Sequence, residues 1–148
     1  QLGRQRQQLR ALGVAPVELK ARLAARAGKA DEALKLVREA IEAEINLGYS
    51  EPPLYPQPTE EVAGKIALEL QRYADAEAFF RAALERDPGS GRAYFGLMQA
   101  QQSAGKQSEA TETYAKFLKA WAKADEDLPE MRTAKEKAAL YRAATNAR

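Results

Sequence analysis

The sequence contains no cysteine and no histidine. The first absence excludes disulfides, thiolate metal sites and a cysteine nucleophile. The second removes the commonest general base and the commonest transition-metal ligand. Catalysis would have to rest on Asp, Glu, Lys, Tyr or Ser alone, and we expect no enzyme. No apolar run approaches the roughly 20 residues that cross a bilayer as a helix, so membrane insertion is not expected. Proline is scarce over most of the chain: of seven, four lie between Pro52 and Pro58. An initiator Met and an apolar signal core are also missing from the opening Gln1-Leu-Gly-Arg, which reads as a piece of a longer or processed protein.

Charge of either sign is nearly balanced, at a net +2, too little to point to a polyanion. Its distribution is uneven. Residues 1–30 carry +6 and residues 31–148 carry −4. A basic front end reads first as a solvated helix face and second as a surface for an acidic partner. Arg4, Arg6 and Arg10 have glutamine neighbours but no interleaved aromatics, so no nucleic acid is expected. Asp125-Glu126-Asp127 lacks the ligand spacing of a calcium loop. Gly89-Ser90-Gly91 is not followed by the Lys and Ser/Thr of a phosphate loop. No cofactor or metal site is expected.

What the chain does have is helix formers. Leu, Ala, Glu, Lys, Arg and Gln dominate, and period-two alternation is rare. Breakers fall at Gly13/Pro16, Gly28, Gly48 to Pro58, Pro88-Gly89-Ser90-Gly91, Gly105 and Asp125 to Pro129. They predict helices at about 3–12, 15–27, 30–47, 58–71, 74–87, 90–104, 107–124 and 128–146. Asp31, Asp75 and Ser108 fall near helix starts, where short oxygen side chains cap free N–H groups. Asp127 and Glu130 have the spacing of a capping box.

The helices come in pairs that repeat. Ala76-Glu-Ala-Phe-Phe80-Arg-Ala-Ala83-Leu84 is echoed 34 residues later by Ala110-Thr-Glu-Thr-Tyr114-Ala-Lys-Phe117-Leu118. A fainter copy, Ala33-Leu-Lys-Leu-Val37-Arg-Glu-Ala40-Ile41, lies 43 residues earlier, and the excess falls at the proline cluster. A 34-residue helix–turn–helix period resembles the tetratricopeptide repeat (TPR). The resemblance covers about residues 14–124. Gly64, Ala76, Phe80, Ala83 and Pro88 match the pattern best, followed by Tyr94, Leu97, Ala110 and Tyr114. The third copy departs at Ala122, where the closing proline would fall, and the first at Lys20 and Val37. The segment Glu51-Pro-Pro-Leu-Tyr-Pro-Gln-Pro and Ala120-Trp-Ala-Lys-Ala-Asp also resemble C-terminal repeat arrays of long bacterial proteins.

The expected fold is therefore all-α, an α-α superhelix of about three helix pairs in a single domain. The pairs span about 14–47, 57–90 and 91–124, with a Pro-rich connector at 48–58 and a capping helix at 128–146. Small residues let helices approach to about 8–10 Å, so Gly64, Ala76, Ala83 and Ala110 are the expected notches, with Phe80, Leu84, Tyr94 and Tyr114 opposite. Trp121 reads as core or cap packing behind Phe117 and Leu118.

The resemblance implies a concave face lined by the first helix of each pair, the usual groove for a peptide. The repeat register puts Glu18, Arg22, Glu61, Lys65, Leu68, Arg92, Phe95, Gln99 and Gln102 there, with Phe95 the exposed aromatic. These helices carry no Asn, so the Lys/Asn clamp that grips a C-terminal carboxylate in such repeats is not supported. Tyr49, Leu54 and Tyr55 in the connector read as packing on neighbouring helices or as a lip over the groove. The expected function is a protein-interaction scaffold. The competing expectation is an assembly module that packs on upstream domains of its own chain.

Overall fold

The computed structural model describes Gln5 and residues 12–48, 57–124 and 128–146, with side chains through residue 138. Among them are seven α-helices and no strand. They are α1 (Val14–Arg26), α2 (Ala30–Ile45), α3 (Thr59–Glu69), α4 (Tyr73–Arg86), α5 (Gly91–Ser103), α6 (Gln107–Ala120) and α7 (Pro129–Asn146). Apart from Gln5 and Leu12, the helix expected at 3–12 lies outside the described residues, as do the connector residues Tyr49, Leu54 and Tyr55 and Asp127 of the capping box. The helices gather into two compact units, Gln1–Arg72 and Tyr73–Arg148.

In the first unit, α1 packs on α2, and α3 packs on α2. Val14, Ala40 and Leu47 form the centre of the α1–α2 contact, with Val17 and Ala43 at its margin. Ala21 and Ala33 are fully buried, as small residues must be where two helices cross closely. The chain re-enters helix at α3 under an unexpected cap. The Thr59 N–H donates to Glu44 Oε2 at 2.7 Å. Glu44, on the last turn of α2, is buried, and its carboxylate meets the positive end of α3. Glu44→Ala would strip that N–H of its acceptor and is expected to cost about 1–2 kcal/mol in chemical denaturation.

The turns within the helix pairs are copies of one another. At the end of α1, Gly28 N–H donates to Ala25 O and Lys29 N–H to Ala24 O, each at 2.9 Å. At the end of α3, Gln71 donates to Leu68 O at 3.0 Å and Arg72 to Ala67 O at 2.8 Å. At the end of α5, Gly105 donates to Gln102 O at 3.0 Å and Lys106 to Gln101 O at 2.9 Å. This is the Schellman pattern, which needs a left-handed residue just past the helix. The left-handed residues are Gly28 (φ 73°), Gln71 (φ 58°) and Gly105 (φ 76°). They recur at spacings of 43 and 34 residues, the same as the repeated sequences. A Cβ in this conformation is strained. Gln71→Gly is therefore expected to raise stability by about 0.5–1 kcal/mol, seen as a higher denaturation midpoint.

In the second unit, α4 packs on α5, α5 on α6 and α6 on α7. Ser90 caps α5, its Oγ accepting from Ala93 N–H at 3.1 Å. Ser90 was not among the expected caps, and three that were expected sit inside their helices instead. Asp31, Asp75 and Ser108 are first-turn residues of α2, α4 and α6, where acids still favour the helix dipole. Phe80 is almost fully buried, and its ring lies against Gly96 of α5. A buried polar pair joins α5 to α6, with Thr113 Oγ1 donating to Gln101 Oε1 at 2.7 Å.

Helix α6 stops at Ala120, earlier than its composition suggests. Trp121 leaves the helix at φ −107°, ψ 29°. Its ring stacks at a tilt on Phe117, 5.3 Å between centroids, and covers Gly91. Phe117, Met131 and Ala134 then form the α6–α7 core. α7 thus covers the last pair with an apolar face and exposes residues such as Arg132, Lys135 and Glu136, as an end cap of a repeat array requires.

Candidate binding surfaces

The 43- and 34-residue spacings align the first helices of the three pairs. Glu18, Glu61 and Phe95 share one register position. Arg22, Lys65 and Gln99 share the position one turn further on.

On the first unit, Arg22 donates to Glu18 Oε1 at 2.8 Å, an exposed i,i+4 pair that contributes little to stability. Glu61 is 4% exposed and accepts from Gln57 Nε2 at 3.4 Å. Lys65 is exposed, with no partner among the described residues. Arg72 extends from its turn to Asp31 of α2, at 3.1 Å.

On the second unit, Arg92 is exposed and likewise without a partner among the described residues. Phe95 corrects an expectation: it is only half-exposed. Its ring tilts against Phe117 at 5.7 Å, and it joins the cluster that Met131 of α7 completes. Gln99 is half-buried. Gln102 Oε1 accepts from Lys137 Nζ at 3.1 Å, so α7 lies along this end of α5. The open part of the first-helix surface is thus the Arg22/Lys65/Gln99 position and Arg92. The Glu18/Glu61/Phe95 position is largely filled by neighbouring side chains.

The structure adds a surface that the sequence did not point to. A cleft of about 310 Å³ opens on the second unit. Leu84, Tyr94 and Leu97 line it together with Arg81, Glu85, Thr113 and Lys116. Arg81 is held by Glu77 at 3.6 Å and Glu109 at 3.5 Å. Glu77 also binds Lys106 at 2.8 Å. That hydrogen bond and the carboxylate's charge raise the Lys106 pKa above its ordinary 10.5. A raised folded-state value means the pairing is intact below the ordinary lysine range and is lost only in strong alkali. At about 310 Å³ the cleft sits at the small end of ligand pockets and fits one or two peptide side chains. Its lining residues come from three helices up to 35 positions apart, so no local motif marks them.

Among the described residues no three His, Cys, Asp or Glu side chains are grouped to hold a metal ion. None of the described helices is long and apolar enough to cross a membrane.

These features define an all-α protein of helix–turn–helix repeats, whose surfaces are helix faces. Residues 67–138 match the Tetratricopeptide repeat family. The chain is also similar to the first TPR domain of the human RPAP3 protein, known from an NMR structure. That match has a TM-score of 0.57 at 20% identity and covers 88% of this chain and 95% of that one. At such identity the likeness shows the fold. No curated protein matches the sequence. Residues 67–138 thus belong to the tetratricopeptide repeat family, and the likeness to the solved domain shows the same fold.

Proposed function

We propose that the chain is a non-enzymatic scaffold that presents the first helices of its pairs as a concave groove to a peptide or protein partner. The tetratricopeptide repeat fold is generally a protein–protein interaction module. The observation that carries the finer reading is the exposed cations of the first helices, taken unit by unit: Arg22 and Lys65 at one register position on the first, and Arg92 on the second, with Lys65 and Arg92 lacking a partner among the described residues. Cations held on rigid helices suit an extended segment with an acidic group. On the second unit, the half-buried Gln99 of the same helix as Arg92 supplies both a donor and an acceptor.

The test uses the full chain as bait in a lysate of its source cell. An Arg22→Glu/Lys65→Glu/Arg92→Glu variant serves as control, with helicity checked by circular dichroism. A protein retained by the wild type and lost by the folded variant supports the groove. A protein retained equally by both removes these cations from the binding surface. Retention by neither would favour an assembly role within a longer chain.

A further inference from the structure

Leu19 and Leu23 of α1 are 57% and 58% exposed, and Leu12, just ahead of the helix, is 69% exposed. The buried side of α1, Val14, Ala21 and Ala24, faces away from them, so this helix is apolar on two sides. The repeat register shows what such positions do elsewhere. The counterparts of Leu19 and Leu23 are Val62 and Ile66 in α3, and Gly96 and Ala100 in α5. Val62 and Ile66 are 1% exposed, Ala100 is 0% exposed, and Gly96 is buried. In each of those cases the helix packs on the second helix of the pair ahead of it, α2 for α3 and α4 for α5. At Gly96 the covering side chain is Phe80. The leucines of α1 therefore occupy positions that in the other pairs receive a helix.

The charges beside them say which kind of helix. Lys20 flanks the leucines on one side, and Arg22 and Arg26 lie on the other. Lys20 and Arg26 are exposed and have no partner among the described residues. Glu18 is the one acid on α1, and it is held by Arg22. A second copy of this face would set cations against cations. A helix with acidic flanks would pair them.

We propose that the outward face of α1 docks an amphipathic helix of a partner protein, its apolar stripe seated on Leu19 and Leu23 and its acidic flanks against Lys20 and Arg26. This surface differs from the groove proposed above: Lys65 and Arg92 take no part in it, and Arg22, which borders both, is held by Glu18.

The probe is a labelled synthetic amphipathic helix with a leucine stripe between two rows of glutamate, and its twin with lysine in place of glutamate. Anisotropy is measured against the full chain. We expect the glutamate peptide to bind and the lysine peptide not to bind. Leu19→Ser/Leu23→Ser removes two apolar anchors from an exposed face and should weaken binding roughly tenfold or more while leaving helicity unchanged. Lys20→Glu/Arg26→Glu should weaken the glutamate peptide by roughly tenfold and allow the lysine peptide to bind. The Lys65→Glu/Arg92→Glu variant should bind the peptide as the wild type does, which separates this face from the groove. The proposal is overturned if the glutamate peptide fails to bind, if the serine variant binds it equally, or if both peptides bind alike. It is also overturned if the wild type sediments as a dimer that the serine variant dissociates, since the occupant would then be a second copy.

Discussion

Gly96→Ala is expected to destabilise the protein by about 2–3 kcal/mol, although alanine is the better helix former. Without tertiary contacts the substitution in mid-helix would gain about 1 kcal/mol. The sign is decided by Phe80. A Cβ built on Gly96 falls inside the contact distance of Phe80 Cζ and both Cε atoms. The ring is 1% exposed and has nowhere to move, since Ala76 and Ala83 on its own helix are also buried. Either α5 must shift or the ring must leave its rotamer, and both disturb the α4–α5 contact. The double variant Gly96→Ala/Phe80→Leu gives the smaller side chain room for the new methyl. It should be less destabilised than the two single changes added together. Denaturant midpoints of the four proteins measure this directly. A stabilised Gly96→Ala would mean that the ring does not lie where the structure has it.

Phe117→Ala is expected to cost about 3–5 kcal/mol. Phe117 is fully buried and touches α5 through Phe95, the C-cap through Trp121, and α7 through Met131 and Ala134. Removing it leaves a cavity that three elements line, and they cannot all collapse into it. The loss should also show locally. Amides of α7 should exchange faster than those of α4, because α7 docks through this cluster while α4 packs on α5 through Phe80. A uniform change across both helices would mean that the unit opens as one piece and that α7 is no separate cap.

The seven described helices could be read from the sequence because Gly and Pro interrupt a helix-forming composition at nearly every boundary. The repeat could be read because Ala76, Phe80 and Ala83 must recur wherever two helices cross at the same angle. Other features were not legible because they depend on residues far apart in the chain. Gly91 is an ordinary turn glycine until Trp121, thirty positions on, covers it. Glu44 reads as one acid among several on α2, and only the fold brings it to the N–H of Thr59. Gln71 carries no composition signal for a left-handed turn, yet the repeat register alone places it opposite Gly28 and Gly105. The candidate surface was legible in part. The register named the first-helix positions, and Lys65 and Arg92 are open. Phe95 is less exposed than its register position implies, because register does not show where α7 lies, and α7 helps to bury it. The cleft beside Leu84 and Tyr94 is not legible in the sequence, because those residues read as fillers between helices.

Under the proposed function, binding runs through α1, α3 and α5. Amide hydrogen exchange of the full chain, alone and with a protein captured through it, decides this. Added protection is expected in α1, α3 and α5, around Arg22, Lys65 and Arg92, with α4 and α6 unchanged. Protection confined to α4 and α6, beside Arg81 and Lys116, would contradict it and move the binding site to the cleft.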